Sequence, residues 1–155
     1  MTLHELLLEI SPSLNIDPSA LSPDVTVTEI TFGSSHPITL EKLRNREVVS
    51  LSALLCFVPN EQQLADLSKT LLEAHSFGYL TNDVVFALDR NASKMIMFKN
   101  LPLSVLTGDI LLAELSVFKS VYETWKEAYD SGRLMSASTQ EPSTAPAQGS
   151  EMNFA

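Results

Sequence analysis

Cysteine occurs once, at Cys56, in a chain of 155 residues, so no disulfide can form within it. Glycine occurs only five times, at positions 33, 78, 108, 132 and 149, each isolated from the others. Phosphate-cradling loops and dinucleotide fingerprints need clustered glycines, so both are excluded. Basic residues are scarce, ten against nineteen acidic ones, giving a net charge of −9 with the histidines neutral. Only Lys42, Arg44 and Arg46 lie close together. A field of that sign repels nucleic acid and anionic membranes, and favours a basic partner or a solubilising role. No apolar run approaches the roughly 20 residues of a membrane span. The first ten residues carry Leu3, Leu6, Leu7 and Leu8 but no basic side chain, and Glu5 and Glu9 interrupt them. They do not read as a secretory leader, and a reducing cytosol is the expected compartment.

Catalytic and metal-binding signatures are missing as well. His4, His36 and His75 fall on different predicted elements, with no His-Glu-x-x-His spacing and no second cysteine to build a zinc site. There is no serine nucleophile elbow. Cys56 sits mid-strand between Leu55 and Phe57, the setting of a buried, inert thiol. His75 falls at a helix end, where it can meet terminal carbonyls. Asp83 and Asp89 flank a strand and read as solvated strand ends. Trp125 lies in the apolar stripe of the last helix, which is a core position. No cofactor or metal is implied.

What the chain does have is a core. Hydrophobic residues make up 45% of it, enough for one domain of this size to bury about two thirds of its unfolded surface. We expect an α+β domain over residues 1–133 and a disordered Ser/Thr/Ala/Pro tail over 134–155, whose composition cannot offset the entropy of ordering. Met152 and Phe154 are the tail's last sizeable apolar groups.

Apolar positions 3, 6, 7 and 10 have helical spacing, and Ser11-Pro12 is expected to end that helix. A loop with three prolines follows to residue 24. Val25–Phe32, Ile38–Leu43 and Val48–Val58 read as strands. Asn60, with Gln63 three residues on, starts a helix with Leu64, Leu67, Leu71 and Ala74 on one face and Gly78 as its stop. Val84–Leu88 and Lys94–Leu101 form a hairpin around Arg90–Ser93. The final helix, from about Thr107 to Asp130, carries a stripe of Leu111, Leu115, Phe118, Tyr122, Trp125 and Tyr129, with Gly132 just past its end. The order is α-β-β-β-α-β-β-α. Strands arriving in hairpins give a twisted, mainly antiparallel five-stranded sheet with three helices.

Two strands carry more apolar side chains than one sheet face needs. Simple alternation along the third strand puts Val49, Leu51, Ala53, Leu55 and Phe57 on one face, and Val48, Ser50, Ser52, Leu54, Cys56 and Val58 on the other. Met95 and Met97 oppose Ile96 and Phe98 in the fifth strand. One face packs on helices; the second has to be covered by something else or stay exposed as an interaction patch, and a second copy in a closed dimer is the expected cover. A loop such as 11–24 folded over that face is the alternative.

The stretch Leu71-Leu72-Glu73-Ala74-His75-Ser76-Phe77-Gly78, leading to Val85-Phe86-Ala87-Leu88-Asp89 and continuing through Met95-Ile96-Met97-Phe98 and Leu101-Pro102-Leu103 to Tyr122-Glu123-Thr124-Trp125, resembles the class I chaperones of bacterial type III secretion systems (the CesT/Tir-chaperone family). The resemblance covers about residues 3–131. His75, where the family usually has asparagine, and the proline-rich 11–24 loop depart from its pattern. The resemblance implies a non-catalytic cytosolic homodimer that binds the N-terminal segment of a secreted effector and keeps it soluble and secretion-competent, with the secretion ATPase a further partner it allows. It places effector contacts on Leu6, Leu7, Ile10, Val27, Ile30, Leu54 and Val58, and the dimer contact on Leu64, Leu67, Leu71 and Phe86. Two other readings stay open on the residues: a regulatory adaptor of the same fold, and a small α+β enzyme whose site assembles scattered polar groups around His75 and Asp83.

Overall fold

In the computed structural model the described residues are 1–31, 36–58, 60–76, 80–91 and 93–136. The first helix, α1 (Leu3–Leu14), opens with a full capping box. The Thr2 hydroxyl accepts from the Glu5 N–H, and the Glu5 carboxylate accepts from the Thr2 N–H. The helix runs through Pro12 rather than ending before it. Proline has no N–H to give to the Leu8 carbonyl four residues back, but the Ser11 hydroxyl donates to that carbonyl at 2.9 Å. Asn15, in the left-handed conformation, then closes the helix.

A short 3-10 turn (Pro18–Ala20) leads to β1 (Val27–Ile30), β2 (Ile38–Lys42) and β3 (Val48–Phe57). The helix α2 (Glu61–Ala74) begins under Asn60, whose side chain accepts from the Gln63 N–H. The expected stop at Gly78 lies outside the described residues. A hairpin of β4 (Val85–Asp89) and β5 (Lys94–Pro102) follows. A second 3-10 turn then precedes α3 (Gly108–Asp130), capped by Thr107, and a final turn of helix, α4 (Arg133–Ser136). Gly132 supplies the positive φ of +76° that separates α3 from α4. Leu134, expected in the tail, is buried in α4, and its carbonyl accepts from the Thr70 hydroxyl of α2. The remainder of the expected tail, 137–155, lies outside the described residues.

All five strands pair antiparallel in the order β1-β2-β3-β5-β4. Val49, Leu51, Ala53, Leu55, Met95 and Met97 from one face of the sheet join Leu6, Leu7 and Ile10 of α1, Leu67 and Leu71 of α2, and Leu111, Leu115 and Phe118 of α3 in a single buried cluster. A tertiary contact locks the helix layer: the Glu9 carboxylate of α1 accepts from the Gly108 N–H at the start of α3, 2.7 Å away, where an anion is favoured at a helix N-terminus.

Candidate interaction surface

The register of β3 against β5 shifts at Leu55. Leu54 stands opposite Ile96, but Cys56 stands opposite Met95 and Phe57 opposite Lys94. One extra residue in a strand turns every later side chain over. Leu55 and Cys56 are therefore both buried on the helix side, and Phe57 emerges on the opposite face, 59% exposed with Lys94 over its ring. The alternation expected from sequence is thus corrected beyond Leu54. Cys56 and Val58 belong to the core, and Phe57, expected on the same face as Val49 to Leu55, lies on the opposite, outer face. Burial pushes the Cys56 thiol above its usual range, the neighbouring Tyr129 hydroxyl offsetting part of that shift, so the thiol is held protonated.

The outer face is apolar at its centre. Leu54 and Ile96 are cross-strand neighbours, Ser52 faces Phe98, and Ala87 and Val85 of β4 continue the row. Ser50 apart, the described β3, β4 and β5 side chains of this face are partly or fully exposed. A cavity of about 390 Å³ opens beside them, lined by Leu54, Ile96, Glu29, His36, Lys94 and Tyr122 among others. A cavity of about 310 Å³, lined by Phe57, Val58, Leu67, Tyr129, Asp130 and Gly132, opens at the far end of β3.

The residues assigned to effector contact separate into two groups. Leu6, Leu7, Ile10 and Ile30 are sealed inside the protomer. Their helical and strand periodicity marks the face that packs on α3 and the core, so a place on an exposed patch is corrected for all four. Val58 joins them in the core through the bulge. Val27, 55% exposed on the edge strand β1, and Leu54 remain accessible.

The expected dimer residues divide similarly. Leu67 and Leu71 are core residues. Leu64 is half-buried, and Phe86 packs edge-to-face on Trp125 at 5.1 Å and on His75 at 6.4 Å. The large apolar side chain of α2 that faces outward is Leu72, 73% exposed. It lines a cavity of about 170 Å³ with Ser68, His75, Phe86 and Leu88, against the edge strand β4. The periodicity of α2 holds this information, because Leu72 falls off the stripe of Leu64, Leu67 and Leu71. The re-facing of Phe57 has no such signal, since a bulge leaves no mark on the alternation.

Among the described residues no cluster of three metal-ligating side chains occurs, and no helix is long and apolar enough to cross a membrane. His75 ends α2 and Asp83 sits on an exposed turn with positive φ.

Comparison with known proteins adds a family. The Tir chaperone protein (CesT) family matches residues 5–126. Among solved structures, the HopA1-SchA chaperone-effector complex contains a chain similar to this one, with TM-score 0.60 and 22% identity, covering 79% of this chain and 91% of that one. A chain of the ExsC-ExsE complex aligns with TM-score 0.61 at 23% identity, covering 82% and 96% respectively. A chain of the heterodimeric ExoU-SpcU complex from the type III secretion system of Pseudomonas aeruginosa aligns with TM-score 0.56 at 16% identity, covering 83% and 93%. No curated protein matches the chain in sequence.

Proposed function

The chain belongs to the Tir chaperone protein (CesT) family, and from this we propose that it is a type III secretion chaperone that binds a segment of a secreted effector without catalysis and keeps it soluble and competent for export. The observation that carries the reading is the outer sheet face. Leu54, Phe57, Ile96 and Phe98 stay accessible on a protomer whose core is already complete on the other side. Burying such surface gives about 25 cal/mol per Å², from which the ordering of the bound segment is subtracted. The fold relative seen in a chaperone-effector complex supports the same reading. A net charge of −9 keeps carrier and cargo dispersed, and the cytoplasm of the bacterium is where unexported cargo has to be held.

The protein acts as a homodimer in this reading. Leu72, Phe86 and Leu88 beside the β4 edge offer the apolar patch for a two-fold interface. Affinity capture of the full chain from its own bacterium, followed by identification of the retained protein, tests the proposal. The expected result is a secreted protein whose retention is lost when its N-terminal segment is deleted. Retention of no secreted protein overturns the reading.

A further inference from the structure

The 310 Å³ cavity at the far end of β3 opens where the chain leaves the domain. Gly132, which lines it, directly precedes α4, and the described residues end at Ser136. Two of its lining side chains, Val58 and Leu67, are core residues at 8% and 2% exposure, while a third, Phe57, is 59% exposed. A space of that size holds about ten waters. An exposed phenylalanine beside an apolar cavity invites non-specific association in a protein without cargo. The charges nearby are unequal in their pairing. Asp130, which lines the cavity, is paired with Lys126. Lys94, 5.7 Å from the centre of the Phe57 ring, takes part in none of the ion pairs among the described residues.

Residues 137–155 hold two sizeable apolar side chains, Met152 and Phe154, with Glu151 beside them. The 15 residues from 137 to 151 are otherwise Ala, Ser, Thr, Gln, Pro and Gly, with one further charge at Glu141. A coil of that length spans about 20 Å, against a radius of gyration of about 14 Å for a domain of 136 residues. Met152 and Phe154 are two apart, so in an extended segment they lie on the same side. We propose that these two side chains fold back into the 310 Å³ cavity and over Phe57, that Glu151 meets Lys94, and that the segment is a built-in cover which cargo displaces. The cargo half of this rests on the chaperone reading above; the docking does not. A tether of this kind presents its end at an effective concentration of about 1 mM, so an anchor with a dissociation constant of about 0.1–1 mM is docked half the time or more. The same anchor on a second copy, at micromolar protein, stays unbound. Cargo that needs the covered surface is then weakened by about two- to tenfold.

The test uses the full chain with the photocrosslinking residue p-benzoylphenylalanine in place of Phe154, irradiated without cargo at low and high protein concentration. Linked residues are mapped by mass spectrometry. Links within one chain to Phe57, Gln63 or Tyr129, in equal yield at both concentrations, are expected. Phe57→Ser, at an exposed position, is expected to lower that yield severalfold. In the otherwise natural chain, Met152→Ser with Phe154→Ser is expected to raise the binding of an apolar dye and to tighten the captured secreted protein by about two- to tenfold. Links that fall elsewhere, or a yield indifferent to Phe57→Ser, overturn the proposal. So do links between chains that grow with concentration, which make a second copy the occupant, and dye and cargo binding unchanged in the double variant. Failure of the chaperone reading looks different: the links within one chain form, and no secreted protein is retained from the bacterium.

Discussion

Tyr122 shows how one side chain serves both packing and edge chemistry. Its ring is buried and its hydroxyl satisfies the Leu54 carbonyl, a group that pairing with β2 leaves over. Tyr122→Phe is expected to cost about 1–2 kcal/mol in chemical denaturation, the range for a buried carbonyl stripped of its partner. Burial, with a smaller contribution from Asp130, pushes the Tyr122 hydroxyl up to about 12. A group whose pKa is raised by folding stabilises the folded state fully below its unfolded value near 10 and loses that contribution as pH climbs through the folded value. The thermal midpoint is expected to fall between pH of about 10 and about 12, and Tyr122→Phe to flatten part of that fall; an unchanged slope contradicts the assignment. Gly108 gives a second test at this scale. A β-carbon there would lie 2.6 Å from the Glu9 carboxylate oxygen and 2.8 Å from the Glu9 β-carbon, and the latter cannot swing away. Gly108→Ala is expected to destabilise by about 1–3 kcal/mol. In a Glu9→Gly background, which removes both clashing atoms, the sign is expected to reverse, alanine being favoured over glycine in helices by about 1 kcal/mol. A double-mutant cycle read by urea unfolding checks it.

At the scale of elements, α1 is the instructive case. Local rules stop a helix before proline, and here the helix continues because the adjacent Ser11 hydroxyl fills the orphaned Leu8 carbonyl. Ser11→Ala is expected to cost about 1 kcal/mol in the natural sequence. In a Pro12→Ala background, where a backbone N–H serves Leu8, it is expected to cost close to nothing. Equal effects in both backgrounds would show that the serine does not compensate for proline. The other elements were legible because their signals are local: the Asn60 and Thr107 caps, β-branched runs, and the stripe from Leu111 to Tyr129. Strand faces were legible only as far as Leu54. Beyond it the bulge, which depends on how β5 is registered against β3, moves Val58 into the core and Phe57 out of it. Leu6, Leu7, Ile10 and Ile30 share a related cause. Their spacing reveals an apolar face, and whether such a face meets the protein's own core or a partner is decided by what the rest of the chain packs against it.

On the scale of the molecule, the described residues complete one core and leave apolar surface on the outer sheet face and on the α2–β4 flank, among other exposed positions. In the proposed reading these two surfaces serve different partners, and variants can separate them. Leu72→Glu is expected to yield folded monomers in sedimentation velocity, because Leu72 is exposed in the protomer. Leu67→Glu is expected to unfold the protein, since it places a charge in the core. A Leu72→Glu protein that sediments as a dimer would move the self-association surface elsewhere.

The most direct measurement is the affinity of the captured secreted protein for a variant carrying Leu54→Ser, Ile96→Ser and Phe98→Ser, all half-buried positions of the outer face. Each truncation removes about 1.5–3 kcal/mol of apolar burial if the side chain is covered in the complex. A loss of at least about 100-fold in affinity is expected, with the oligomeric state kept and the far-ultraviolet dichroism unchanged. Undiminished affinity in a folded triple variant would contradict it.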